Sequence, residues 1–415
     1  MSGKHVVVLG AGVAGLSTAL YLRREGLSVT VLDPLPPGSG ASFGNAGMIS
    51  PDSVVPIALP GMLRKVPHWL LDPMGPLRVN TRHLPRALPW LLRWIRCGTM
   101  PRATRTSDAL AALHRHSFAC WAELLGPSGM DEFIRRQGQI HVWESHRVSA
   151  AEQAERRLRE RHGVRSQVLD AQQLRRMFPG IANSVVRGLL LPDNGHTIDS
   201  SRLVQRLGEL LRAAGGRIVA ERALKLVPTE SGRWTVLSHV DNHAADSVVV
   251  ATGAAAPDLL RPLRLRLPLA AERGYHIALC DARLQLERPI VFKSRGVAMS
   301  PNGGGLRVSG TVEIDAHDAP PDERRARYLE NHLRQAFPDA GGAVSRLWMG
   351  SRPSTPDSLP LLGAVAAHPG LFLCVGHGHF GMTGGPPSAR LVAAAVTGKP
   401  PIIDPTPYSI ARPGR

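Results

Sequence analysis

The stretch Val6-Val7-Val8-Leu9-Gly10-Ala11-Gly12-Val13-Ala14-Gly15 decides how this chain folds. Residues 6–9 are an unbroken, mostly β-branched apolar run, the pattern of a parallel strand buried on both faces. The GxGxxG turn opens a helical pattern with Leu16, Ala19, Leu20 and Leu22 on one side and Gly26 at its close. A second strand, Ser28-Val29-Thr30-Val31-Leu32, then ends at Asp33 and Pro34. Each glycine has a job: Gly10 permits the tight turn, Gly12 lets backbone approach a pyrophosphate, and Gly15 lets the helix pack on the sheet. The helix start at Val13 and Ala14 offers free N–H groups and a positive dipole end to phosphates. Asp33 stands where a carboxylate accepts bonds from ribose hydroxyls. The unit predicts a dinucleotide site.

An NAD dehydrogenase usually continues strand–helix–strand. This chain instead enters a Gly/Ser-rich loop, Pro36-Pro37-Gly38-Ser39-Gly40-Ala41-Ser42-Phe43-Gly44-Asn45-Ala46-Gly47-Met48. Much later a buried strand pattern, Ser247-Val248-Val249-Val250, runs into the turn Ala251-Thr252-Gly253. Together these two departures favour FAD over NAD.

At 415 residues the chain is long enough for two or three domains. With 43% hydrophobic and 20% charged residues, it is not wholesale disordered. The formal charge is +17 and only Lys4, Lys65, Lys225, Lys293 and Lys399 are lysines, so arginine carries the excess. Such a balance permits an anionic partner, but no RNA-binding module accompanies it and nucleic acid is not expected. Cys97, Cys120, Cys280 and Cys374 show no CxxC pairing, so neither a disulfide framework nor a metal site is indicated. The apolar start stops at Gly10, too short for a signal peptide, and no window has the ~18 apolar residues of a bilayer span. A cytoplasmic protein, or one peripheral on the inner face of the membrane, is expected.

Further stretches carry a family likeness. They are residues 42–51 (SFGNAGMISP), 135–143 (RRQGQIHVW), 191–207 (LPDNGHTIDSSRLVQRL), 272–277 (ERGYHI), 349–363 (MGSRPSTPDSLPLLG) and 374–385 (CVGHGHFGMTGG). With 6–33 and 248–257, the chain resembles the D-amino acid oxidase superfamily of FAD-dependent oxidoreductases. Within it, the bacterial D-amino acid dehydrogenase small subunits are most similar, with their D-hydroxyproline dehydrogenase relatives.

The resemblance implies an α/β fold: a Rossmann-like FAD-binding domain and an α+β substrate domain on a large mixed sheet. Residues 1–60, 196–262 and 346–415 are expected to form the first, and 61–195 with 263–345 the second. It implies oxidative deamination of a D-amino acid, D-proline or D-hydroxyproline among the candidates, by hydride transfer from the α-carbon to flavin N5. FAD is expected to be held non-covalently. Electrons would pass to a respiratory acceptor, a quinone or electron-transfer protein, and partner subunits are an open expectation.

Holding a carboxylate for that chemistry calls for the planar fork of an arginine. Arg352 matches the family's carboxylate-binding position in Gly350-Ser351-Arg352-Pro353-Ser354-Thr355-Pro356-Asp357. Ser42, Asn45, Ala46 and Gly47 match the loop against the isoalloxazine ring, and Met48 would face the substrate. Gly378, Gly381, Met382 and Thr383 belong to a glycine-rich loop ahead of a helix expected near Pro387. Such a loop can donate N–H groups to the flavin pyrimidine. His379 matches a substrate-facing position, while His377 reads as a loop-ordering residue. Tyr275 is a candidate pocket wall or hydrogen-bond donor. Where many relatives place an aromatic, this chain has Lys293-Ser294-Arg295-Gly296. No acid/base dyad is expected, since a deprotonated amine gives up hydride directly.

Residues 52–96 combine Trp69, Trp90 and Trp94 with Arg64, Lys65, Arg78, Arg82, Arg86, Arg93 and Arg96, against Asp52 and Asp72 alone. That mixture suits an interfacial segment on anionic lipid, or an insertion with a solvated basic rim. Three alternatives stand beside the main reading: an oxygen-using glycine or sarcosine oxidase, an RNA-associated flavoprotein, and a non-catalytic FAD-binding subunit.

Overall fold

The computed structural model describes residues 3–60 and 77–412. Two sheets organise the chain. The first has six strands in the order Arg217–Val219, Ser28–Leu32, His5–Leu9, Ser247–Val250, Leu371–Val375 and Leu361–Ala364. Its first five strands run parallel and the last is antiparallel. Residues 6–9 and 248–250 are at most 1% exposed, because helices cover one face and the three-stranded sheet Ala223–Pro228, Trp234–Ser238 and Asn242–Ala245, with the short helix Ala256–Leu260, covers the other. The turns Gly10–Gly12 and Ala251–Gly253 leave neighbouring strands at their carboxyl ends, where open α/β sheets bind ligands.

The nucleotide helix, Val13–Arg24, ends at Gly26 in the left-handed region (φ +81°). There Gly26 N–H bonds to Arg23 and Leu27 N–H to Leu22, which satisfies the last carbonyls. Its counterpart, Gly381–Thr397, begins six residues before the expected Pro387. Prolines inside a helix strand the carbonyls four residues back. Here the carbonyl of Met382 accepts the Trp121 indole N–H at 2.9 Å, and that of Thr383 accepts the Ser117 hydroxyl at 2.7 Å. Tertiary donors thus replace the two missing bonds, and the helix extends through Pro386 and Pro387.

The second sheet has nine strands and is mixed. Its path runs from Arg346–Ser354 through Ala270–Leu279, Gly305–Ile314, Val297–Asn302, Ile290–Phe292, Gln139–Trp143 and Arg187–Leu191 to Gln167–Asp170. Leu77–Val79 pairs off this path with Gly305–Ile314. Helix Arg324–Ala336 covers one face with Ala326, Leu329 and Leu333 in a core shared with Tyr275, Ile277 and Val308. The sheet's other face looks onto the glycine turns of the first. Among the described residues no helix is long and apolar enough to cross a membrane.

Candidate functional site

A cavity of about 1240 Å³ runs between the two sheets. Gly10, Gly12, Val13, Ala14, Asp33, Pro34 and Ser42 line one end. The other end includes Gly274, Thr311, Arg352 and His379. Asn45, Ala46, Met48, Ala251, Thr252, Gly253, Gly378, Gly381, Met382 and Thr383 line it as well. Of the sequence-predicted residues only Gly15 and Gly47 stand outside its lining, and both do backbone work. A Cβ on Gly15 would lie 1.9 Å from the carbonyl oxygen of Gly10. Gly47, at φ +77°, would place one 2.9 Å from the carbonyl oxygen of Thr197.

The dinucleotide end fits FAD on its own geometry. Gly10 takes φ +106°, and a Cβ there would meet the Ala251 carbonyl oxygen at 2.5 Å, so the turn must be glycine. The Val13–Arg24 helix has no side-chain cap and no acid in its first turn, which leaves its positive end for an anion. Ser42 Oγ accepts the Val13 N–H at 3.1 Å and pins the loop to that helix start. Asp33 accepts the N–H of Ala11 at 2.7 Å and that of Leu35 at 2.8 Å. Its carboxylate holds the turn as well as facing the cavity. Thr252 Oγ1 is buried with no partner, an orphan that a polar ligand would satisfy.

Between the ends, Asn45 Oδ1 accepts the Gly47 N–H at 2.8 Å, which closes the loop carrying Ala46. Met48 pairs with His196 in a short antiparallel ladder. Thr383 Oγ1 accepts the Ser50 N–H at 3.0 Å, so this loop and the Gly381–Thr397 helix are tied at the cavity wall. Cys374 is buried beneath. Desolvation pushes its thiol up to about 12, which keeps it protonated and unreactive.

The substrate-side end gathers unpaired polar atoms. Arg352 Nη1 is buried without a hydrogen-bond partner, as are Ser309 Oγ and Thr311 Oγ1, two strands along the same sheet beyond Ala270–Leu279. Thr311 also takes φ +59°, a strained conformation for a β-branched residue. A carboxylate would complete this arrangement, because a buried donor without an acceptor costs ~1–3 kcal/mol.

One residue was missed by the sequence reading. Glu272 lies directly across the strand pair from Arg352, with Oε1 4.0 Å from Nη1. The same Oε1 is 2.5 Å from His379 Nε2, and Oε2 accepts the Ser354 hydroxyl at 2.7 Å. Burial opposes ionisation of Glu272, but His379, Arg352 and Ser354 outweigh it and hold the carboxyl at about 2. Strand alternation could have found it, since Glu272 shares a face with Gly274.

Two candidates read differently in space. The Tyr275 hydroxyl donates to Glu313 at 2.8 Å and accepts the Asp322 N–H at 2.9 Å, at 1% exposure. It is committed to the sheet, so the donor reading is corrected and Tyr275 remains as wall. His377 is buried, and desolvation, with His114 adding to it, lowers its pKa to about 4, which suits an ordering role. Lys293 lines the cavity but pairs with Glu155 at 3.1 Å.

Residues 5–395 match the family described as DAO, FAD dependent oxidoreductase. The chain is 35% identical to a D-amino-acid oxidase of Bradyrhizobium diazoefficiens, over 99% of both chains. It is 32% identical to a D-amino acid dehydrogenase of Rhodopseudomonas palustris, over 98% of this chain and 97% of that one. In fold it is similar to glycine oxidase from Geobacillus kaustophilus, with a TM-score of 0.75, 21% identity and 99% of both chains covered. L-proline dehydrogenase from P. horikoshii superposes with a TM-score of 0.76 at 15% identity, covering 98% and 97%.

Proposed function

This chain belongs to the DAO family of FAD dependent oxidoreductases, and from that premise we propose that it oxidises D-amino acids to imino acids, which water then hydrolyses. The names of the relatives point to that substrate class. The observation that carries the reading is the buried Arg352 Nη1, without a hydrogen-bond partner, in the wall of the cavity that the glycine turns also line. FAD, held non-covalently by the pieces 1–60, 196–262 and 346–415, supplies the two-electron acceptor.

The chain's own residues bind and orient. Arg352 grips the α-carboxylate in a site where water is scarce, so the ion pair is worth more than at the surface. Ser309 and Thr311 offer hydroxyls to the polar groups of the bound amino acid. Met48 packs against the side chain, and its flexible thioether suits varied shapes. His379 faces the amino group. D-proline and its hydroxylated relatives fit the same clamp, because only the α-carboxylate and amine need be held.

The test is anaerobic. The holoprotein is mixed with D- and L-amino acids, cis-4-hydroxy-D-proline, glycine and sarcosine, and the visible flavin band is followed. Bleaching by D-amino acids and not by their L-enantiomers supports the reading. Bleaching by glycine or sarcosine alone would replace it with a secondary-amine oxidase.

A surface helix bears on the electron acceptor. Leu84–Cys97 turns Ala87, Trp94 and Cys97 inward, while Leu84, Leu88 and Leu92, spaced by four, stay 40–47% exposed. Arg82, Arg86, Arg93 and Arg96 flank that stripe and, among the described residues, have no ion-pair partner. An apolar stripe beside unpaired cations suits the surface of anionic lipid. We read it as the face that meets a membrane-held respiratory acceptor. Arg64, Lys65 and Trp69, also part of that basic segment, lie outside the described residues.

A further inference from the structure

We propose that Glu272 and His379 form a proton-accepting pair, in which His379 Nδ1 takes the proton that the substrate ammonium must lose before oxidation and Glu272 acts as its positioning residue. This rests on the amino-acid reading of the cavity given above.

The geometry sets the roles. His379 lines the cavity with its side chain 36% exposed, while Glu272, at 7%, lies behind it. The 2.5 Å contact uses Nε2, so the ring proton belongs on that nitrogen and Nδ1 is left as the basic one. Among the described residues Nδ1 has no partner. The Ser354 hydroxyl fixes the second carboxylate oxygen, so Glu272 cannot swing away without losing that bond.

Arg352 is the third member. At 4.0 Å its Nη1 is too far from Glu272 for a hydrogen bond, yet near enough to feel its charge. The guanidinium thus remains available to the incoming carboxylate. Arg352 and His379 both line the cavity and approach the same Glu272 oxygen, so a carboxylate gripped by Arg352 holds its amino group in the part of the cavity that His379 lines. Two further histidines belong to this part of the fold, His377 on the same loop and His114 on the Met100–His114 helix, and both are lowered to about 4 by burial. They stay neutral in the working range and leave Glu272 and Arg352 to set the charge.

The step is a simple transfer. One N–H bond of the ammonium breaks, its electron pair stays on the amine nitrogen, and an Nδ1–H bond forms. The imidazolium so produced is stabilised by the Glu272 carboxylate. No oxidant enters this step. The sequence alone hides the pair because its members are 107 residues apart.

The test uses the FAD holoprotein and two readouts. ¹⁵N spectra of histidine-labelled protein report tautomer and midpoint of His379 without any substrate, with the signal assigned by its absence in His379→Gln. The proposal expects the Nε2–H form, and a midpoint lower in Glu272→Gln than in the wild type, because a nearby opposite charge is lost. The second readout is the pH profile of kcat/KM with the amino acid that bleaches the flavin. Its acid limb should move with that midpoint in Glu272→Gln, and His379→Gln should lower kcat by about 10²-fold with FAD still bound. If Glu272→Gln does not fold, His379→Gln and Glu272→Asp carry the decision, the latter retaining the limb. An unchanged midpoint and an unchanged limb overturn the proposal. If no amino acid bleaches the flavin, the amino-acid reading fails, whereas the NMR titration still decides the pair.

Discussion

Trp90 donates its indole N–H to the carbonyl oxygen of Ser354 at 2.9 Å, which ties the Leu84–Cys97 surface helix to the strand that carries Arg352. The exposed leucine stripe is therefore anchored two residues from the proposed carboxylate clamp. Leu88→Asp should lower binding to vesicles containing anionic phosphatidylglycerol by about tenfold, with turnover on a soluble dye acceptor unchanged. Co-sedimentation at rising salt reads both parts, since the arginine contribution should fade as the charges are screened. Equal binding by wild type and variant would remove the membrane reading.

Asp33 to Ala11 is the second relationship with a consequence. The carboxylate closes the turn that faces the dinucleotide, so Asp33→Ala loses a charge-assisted bond of roughly 1.5–3 kcal/mol. FAD affinity, measured by fluorescence titration of the apoprotein, should fall about 10- to 100-fold. Undiminished affinity would mean that Asp33 plays no part in the nucleotide end.

Gly15 tests the packing of the same unit. Gly15→Ala forces a methyl against the Gly10 carbonyl oxygen, 1.9 Å away, a backbone atom that cannot swing aside as a flexible side chain would. Overpacking of this kind should cost about 3 kcal/mol or more in chemical denaturation. Gly40→Ala, where nothing lies within 4 Å, should change stability by less than about 0.5 kcal/mol.

Much of this unit was legible in residues 6–33, because turn, helix and strand are contiguous and each glycine has a local steric reason. Arg352 was singled out through its motif, and it lines the same cavity as Gly10 and Gly12. What the sequence could not show arises from long-range pairing. Glu272 becomes meaningful only when the sheet register sets it against Arg352 and the last glycine loop brings His379 to it. The Tyr275 hydroxyl was misread for the same reason: its partner, Glu313, lies 38 residues away on the neighbouring strand. The start of the Gly381–Thr397 helix was placed too late because prolines mark helix starts locally, whereas Trp121 and Ser117 rescue the stranded carbonyls from another helix.

Buried histidines predict the pH dependence of stability. Burial lowers the pKa of His114 and of His377 from 6.5 to about 4. A folded-state pKa below the unfolded one gives stability that is complete above pH 6.5 and lost as pH falls toward 4. Each should cost about 2 kcal/mol by pH 5. Glu272, held at about 2, loses its contribution only below the ordinary carboxylate range, outside this window. Thermal melts at pH 7, 6 and 5 should show a steady fall in Tm, and a flat series would contradict the burial of these rings.

The proposed function depends above all on Arg352 holding an amino-acid carboxylate beside bound FAD. Anaerobic titration of wild type, Arg352→Lys and Arg352→Ala with the D-amino acid that best bleaches the flavin tests it most directly. FAD content should be equal in all three. Half-reduction should need about a hundredfold more substrate in Arg352→Ala, with Arg352→Lys between, because a single ammonium cannot reproduce the fork. Identical titration curves for wild type and Arg352→Ala would contradict it.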